Sequence, residues 1–146
     1  MKQEDKDLLL KDLCARIPYK VKCEVYNRVG TLIEVNAYGF TVTYLGGLED
    51  MTCQIDNIKP YLLPLKSITD EAQKYELHFF GFYLLENDET GKLEIINYID
   101  EYAMPYGNCN HQDCYELIDW LNKHHIDYRG LIDKGLAIDA TDLNIY

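Results

Sequence analysis

The chemistry-bearing residues concentrate in one stretch: Cys109-x-His111-x-x-Cys114, followed by His124-His125. Thiolate and imidazole are ligands that zinc favours, and three or four could converge if the loop before Cys114 folds back. The spacing matches no standard finger or ribbon. Cys114 also falls on the apolar stripe of a helix, and His111 falls in its first turn. The structural reading is therefore preferred, and neither a metal nor another cofactor is expected. His124 and His125 could relay protons. Histidines at a helix C-terminus also complement the dipole and bond the last free carbonyls, and this reading is preferred.

A second constellation is Asp127-Tyr128-Arg129-Gly130, close in sequence to Trp120. Trp, Tyr and Arg are favoured anchors of protein interfaces. Trp120, His124, Asp127, Tyr128 and Arg129 are therefore taken as a candidate interaction surface. The same residues could form a helix–turn clamp, with Asp127 as cap and Arg129 in an ion pair. A thiol nucleophile needs an adjacent base. Cys23 and Cys53 fall on inward strand faces and Cys14 on a helix stripe, where thiols are inert. The acid pairs Asp88-Glu89 and Asp100-Glu101 read as solvated loop residues. No phosphate-binding loop, dinucleotide fingerprint, nucleophile elbow or metalloprotease helix is present. No catalytic residue is assigned, and the chain is expected not to be an enzyme.

The elements that must position these groups follow from periodicity. Residues 3–16 predict a helix with Leu10, Leu13, Cys14 and Ile17 on its apolar stripe, ended by Pro18. From Lys20 the period becomes two. Val21/Cys23/Val25, a run over 31–36 after Gly30, Phe40/Val42/Tyr44 and Met51/Cys53/Ile55 predict four short strands. A 3₁₀ turn over 56–60 and a closing strand over 61–65 complete the pattern of an SH3-like small barrel. A linker leads to a helix from Asp70 to about Leu77, capped by Ser67 or Thr69. Strands over 79–85 and 92–99 form a hairpin, expected to pair with further strands. The 79–85 strand, apolar on both faces, is either central in a sheet or sealed by a second subunit. After a loop over 100–109, Asn110 caps a helix with Cys114, Leu117, Ile118 and Leu121 inward. A short helical piece over 128–134 ends at Gly135, and an extended tail follows. The expected class is α+β: residues 1–66 as helix plus barrel, and residues 67–146 as a helix–hairpin–helix part packed on it as one unit.

Composition narrows the function classes. The net charge of −11 is unevenly placed. Residues 1–66 carry nine Lys/Arg against nine Asp/Glu, whereas residues 67–146 carry five against sixteen. Such a field repels phosphate backbones, so nucleic-acid binding by the C-terminal part is disfavoured. In the neutral part, Lys20, Lys22, Arg28, Tyr26 and Tyr38 could make a modest basic–aromatic face. No secretory signal or membrane span is read, and five cysteines, an odd number and mostly isolated, fit a reducing cytoplasm.

Three segments carry a family likeness: Leu8-Leu9-Leu10-Lys11-Asp12-Leu13-Cys14-Ala15-Arg16-Ile17-Pro18-Tyr19, Lys59-Pro60-Tyr61-Leu62-Leu63-Pro64-Leu65, and the run from Trp120 to Ile132 with Lys134-Gly135-Leu136-Ala137. Together they resemble a family of small proteins from Bacteroides-type gut bacteria and their phages and mobile elements. The likeness does not extend over 79–108. It brings no activity, cofactor or site residue, and implies an intracellular accessory role. The expectation is a protein-interaction module with a protein partner. The alternatives are a nucleic-acid-binding barrel over 1–66 and a metal protein built on Cys109, His111, Cys114, His124 and His125.

Overall fold

The computed structural model describes residues 1–44, 47–69, 73–74, 81–97 and 111–146. Helix α1 spans Gln3–Arg16. Its buried face carries Leu9, Asp12, Leu13 and Arg16, while Leu10 and Cys14 are exposed. The spacing is that of the predicted stripe, but the face is rotated by one position. Arg16 Nε donates to Asp12 Oδ2 at 2.8 Å one helical turn away. The two ions neutralise each other, so this face can be buried where hydropathy alone turns it to solvent. Pro18 lies in a 3₁₀ turn, Ile17–Tyr19, and Lys20 reverses the chain in the left-handed region at φ 57°.

Strands β1 (Lys22–Val25), β2 (Arg28–Asn36), β3 (Gly39–Tyr44) and β4 (Glu49–Cys53) form an antiparallel meander. The 3₁₀ turn falls at Ile55–Asn57, and β5 runs over Ile58–Leu62 beside β1. Both lie a few residues before their predicted places. Hairpin strands β6 (Phe82–Glu86) and β7 (Leu93–Asn97), helix α2 (His111–Lys123) and a two-residue strand β8 (Ile138–Asp139) follow. The main sheet has the order β4-β3-β2-β1-β5-β8. The fold is mixed α+β with an N-terminal helix. Among the described residues the sheet is not closed into a barrel, which corrects the sequence expectation. The chain leaves β4, crosses in the 3₁₀ turn and joins the far side of β1, so no ladder links β4 to β5 or β8.

A bulge between Leu32 and Glu34 sets which side of β2 faces inward. Leu32 is buried and Ile33 is exposed. Gly30 sits inside β2. A Cβ there would lie 2.4 Å from Val42 Cγ1 and 2.7 Å from the Thr43 carbonyl oxygen. Gly30→Ala is therefore expected to destabilise the protein by ~1–3 kcal/mol through overpacking, read as a lower urea midpoint.

Two apolar clusters result. The first joins α1 and the meander to Leu131, Leu136 and Ala137. The second gathers Ile68, Phe82, Leu117, Trp120, Leu121 and Ile126. On α2, Cys114, Leu117 and Leu121 face inward as expected, while Trp120 takes the fourth inward place and Ile118 is exposed. The β6–β7 hairpin pairs with no further strand among the described residues, and packs its inner face on the second cluster instead. Residues 128–135 form turns, not the predicted helical piece. The predicted helix from Asp70 lies outside the described residues except at 73–74, which are helical; so do the start of the 79–85 strand, the 100–109 loop and the Asn110 cap. No helix among the described residues is long and apolar enough to cross a membrane.

Candidate interaction site

The end of α2 and the turns after it hold the five predicted surface residues, and α1 reaches them through Asp12. Arg16 is fully buried. Its Nε and Nη2 grip the Asp12 carboxylate at 2.8 and 3.1 Å, and Nη2 also donates to the Ile126 carbonyl at 2.8 Å. Arg129 Nε lies 3.2 Å from the same carboxylate, without the alignment of a hydrogen bond. Two guanidiniums thus share one buried carboxylate. The Tyr128 ring lies under both, 5.6 Å from the Arg16 carbon and 4.6 Å from that of Arg129, where its π-face stabilises the excess charge. Tyr128 Oη accepts from Arg129 Nη2 at 2.5 Å and donates to the Asn122 side chain at 3.2 Å. Burial, ahead of the opposing pull of Arg129 and Arg16, raises the Tyr128 pKa.

Asp127 is buried, and its two oxygens accept the amides of Leu131 and Ile132 at 2.9 and 2.8 Å. The clamp reading of Asp127 and Arg129 describes these contacts. Asp127 holds turns four and five residues on rather than the first turn of a helix. Trp120 is buried against the second cluster, with the His124 ring 4.3 Å away. His124 Nδ1 bonds the Trp120 carbonyl at 2.9 Å, as expected of a histidine at a helix end.

His125 turns the chain at φ 56°. Its carbonyl accepts the Leu63 amide at 2.9 Å, and the Asp127 amide returns to the Leu63 carbonyl at 2.7 Å. Burial, then the Arg16 charge, lowers its pKa to about 4. Its Nδ1 has no partner among the described residues. Its ring stacks on that of Tyr146, with centroids 3.9 Å apart.

Cys109 and the His111 side chain lie outside the described residues, so the zinc constellation cannot be built from them. Among the described residues no group of three or more His, Cys, Asp or Glu could hold a metal. Cys114 packs against the second cluster. Burial raises the pKa of both Cys23 and Cys53, which keeps them as unreactive thiols. The basic–aromatic face is divided. Arg28 makes a bidentate pair with Glu49 at 2.8 and 2.9 Å and lies over the Tyr44 ring, whereas Lys20 and Lys22 line a shallow hollow of ≈ 360 Å³ with Val29 and Ile33.

Sequence reasoning missed a cleft of ≈ 580 Å³ between the hairpin and the 127–133 turns. Its apolar lining is Pro64, Leu65, Leu93, Tyr128 and Ile132. Lys66, Glu86, Lys92 and Asp133 also line it, the last two as an ion pair. Only Asp127 and Tyr128 of the predicted surface line it. No local pattern announces this cleft, because its walls come from three separate segments. No protein-family model, curated protein or solved structure matches the chain.

Proposed function

We propose that this chain is a non-enzymatic protein-interaction module that receives an apolar side chain of a partner segment in the cleft between the hairpin and the 127–133 turns. The carrying observation is the state of the cleft's polar groups. Both oxygens of Asp127 are occupied by backbone amides, and Lys92 and Asp133 hold each other. A small-molecule site needs convergent polar groups to orient its ligand. What this cleft offers is apolar surface with charged residues of both signs, which suits a protein side chain and its flanking residues.

The strand order supports a finer reading of the first part. β1 lies between β2 and β5, and a 3₁₀ turn separates β4 from β5. We read this as an SH3-like arrangement left open at its edges, a fold that serves many functions. The family likeness supports an accessory role in a phage or mobile-element setting inside a bacterial cytoplasm. Nucleic-acid binding by 1–66 is the lesser reading, because the Arg28 charge is matched by Glu49.

The test is capture from bacterial lysate at moderate salt with the wild type and with Leu93→Asp, which places a charge in the cleft wall. The wild type should recover a specific partner that the variant loses, while both keep the same circular dichroism. Recovery of no specific partner, or equal recovery by both, would sink the proposal.

A further inference from the structure

Where β1 and β5 diverge, their ladder is completed by a side chain. The last paired residues are Cys23 and Pro60, and the next rung would join Lys22 and Tyr61. Instead the Tyr146 hydroxyl enters the fork. It accepts the Lys22 amide at 3.2 Å and donates to the Tyr61 carbonyl at 2.6 Å. The ring stacks on His125 with centroids 3.9 Å apart and planes 13° apart. Tyr146 as a residue is 46% exposed, but its hydroxyl lies inside the fork, and burial, the largest cause, raises its pKa above the ordinary tyrosine value.

The segment that delivers the ring is anchored at its two ends. At one end Ile138 and Asp139 pair with Tyr61 and Leu62, and the Ala140 amide bonds the Leu62 carbonyl at 2.9 Å. At the other end is the phenol. Residues 141–144 between them are exposed, and Asn144 adopts a left-handed φ of 47°. Release of this strap would leave a short strand edge, a flat imidazole, one amide donor and one carbonyl acceptor. Phenylalanine could stack there but would leave both backbone groups unpaired. A phosphorylated or methylated tyrosine has no proton to give the carbonyl.

We propose that the β1–β5 fork is a tyrosine-reading site, that the strap over 138–146 is its resident occupant, and that its ligand in trans is a partner's extended segment bearing an unmodified tyrosine. This recognition is by strand addition plus one side-chain slot. It does not rest on the cleft, and either proposal can fail alone.

The first experiment uses the full chain with Tyr146→Ala and follows the melting temperature with small aromatics. 4-Methylphenol should raise the melting temperature of the variant and leave the wild type unmoved, while toluene and 4-methylanisole should do neither. Equal rescue by toluene, or none by 4-methylphenol, overturns the proposal. The second experiment keeps it testable if the variant fails to fold. A peptide of sequence 138–146 with a ¹³C-labelled tyrosine is titrated into the Tyr146→Phe chain, which keeps the ring for folding but leaves the Lys22 amide and the Tyr61 carbonyl without their resident hydroxyl. Saturable binding with ring contacts to His125 is expected, weakened at least roughly tenfold when phenylalanine or phosphotyrosine replaces the tyrosine. No binding, or equal binding of all three peptides, overturns it.

Discussion

Asp12→Ala is expected to lower the folding free energy by ~3–5 kcal/mol, a large part of the total stability of a domain this size. The carboxylate is fully buried and is the shared counter-charge of Arg16 and Arg129. Its loss leaves two guanidiniums facing each other inside the protein, and neither can lose its proton at ordinary pH. The asymmetry gives a control. Arg129→Met removes one cation and leaves a matched Asp12–Arg16 pair, so it should cost only ~1 kcal/mol, from the lost bond to Tyr128. Urea denaturation of the two variants beside the wild type measures both. An Arg129→Met cost equal to or above that of Asp12→Ala would show that the triad is not held by its shared carboxylate.

The second large effect is on pH dependence. The His125 pKa falls from 6.5 to about 4 on folding, by burial first and then by the charges of Arg16, His124 and Lys22. The unfolded chain therefore binds this proton more readily than the folded one. Stability from this site is fully present above pH 6.5 and is lost as pH falls toward about 4. Linkage sets its size at about 3 kcal/mol across that window. Acidic side chains titrate over part of the same range, so the contribution must be isolated by difference. His125→Asn suits this purpose, since asparagine tolerates the left-handed backbone at φ 56° and carries no titrating group. Urea unfolding at a series of pH values should show the wild type losing about 3 kcal/mol relative to the variant as pH falls from 6.5 to 4. A difference that stays flat with pH would mean that His125 is protonated as easily in the folded chain as in the unfolded one.

Much of the local structure was legible in the residues. Alternation of Val21, Cys23 and Val25, and of Phe40, Val42 and Tyr44, named inward positions in and just before β1 and in β3, and all six are buried. Those strands present a single apolar face, so hydropathy with a period of two leaves one solution. The extents of α1 and α2 were legible, and so were Cys114, Leu117 and Leu121 on the inward side of α2, but the buried face of α1 was not, and residues 128–135 form turns where a helical piece was expected. On α1, Asp12 and Arg16 are buried because each supplies the other's counter-charge, and hydropathy treats residues one at a time. On β2, alternation alone does not place the bulge between Leu32 and Glu34, which leaves Leu32 buried and Ile33 exposed.

The sites depended still more on tertiary structure. From the sequence, Asp127, Tyr128 and Arg129 read either as interface anchors or as a clamp. Their bonds to Leu131, Ile132, Asn122 and Asp12 decided which atoms are occupied. The cleft draws its walls from residues 64–66, 86–93 and 127–133, and the tyrosine fork joins residues 22, 61, 125 and 146. Residue type and local spacing determined that this chain would be α+β, with a charge-neutral first part and an acidic second part. Only the fold decided which polar groups meet, because a hydrogen bond or ion pair acts over a few ångströms between residues that the sequence sets as many as 124 apart.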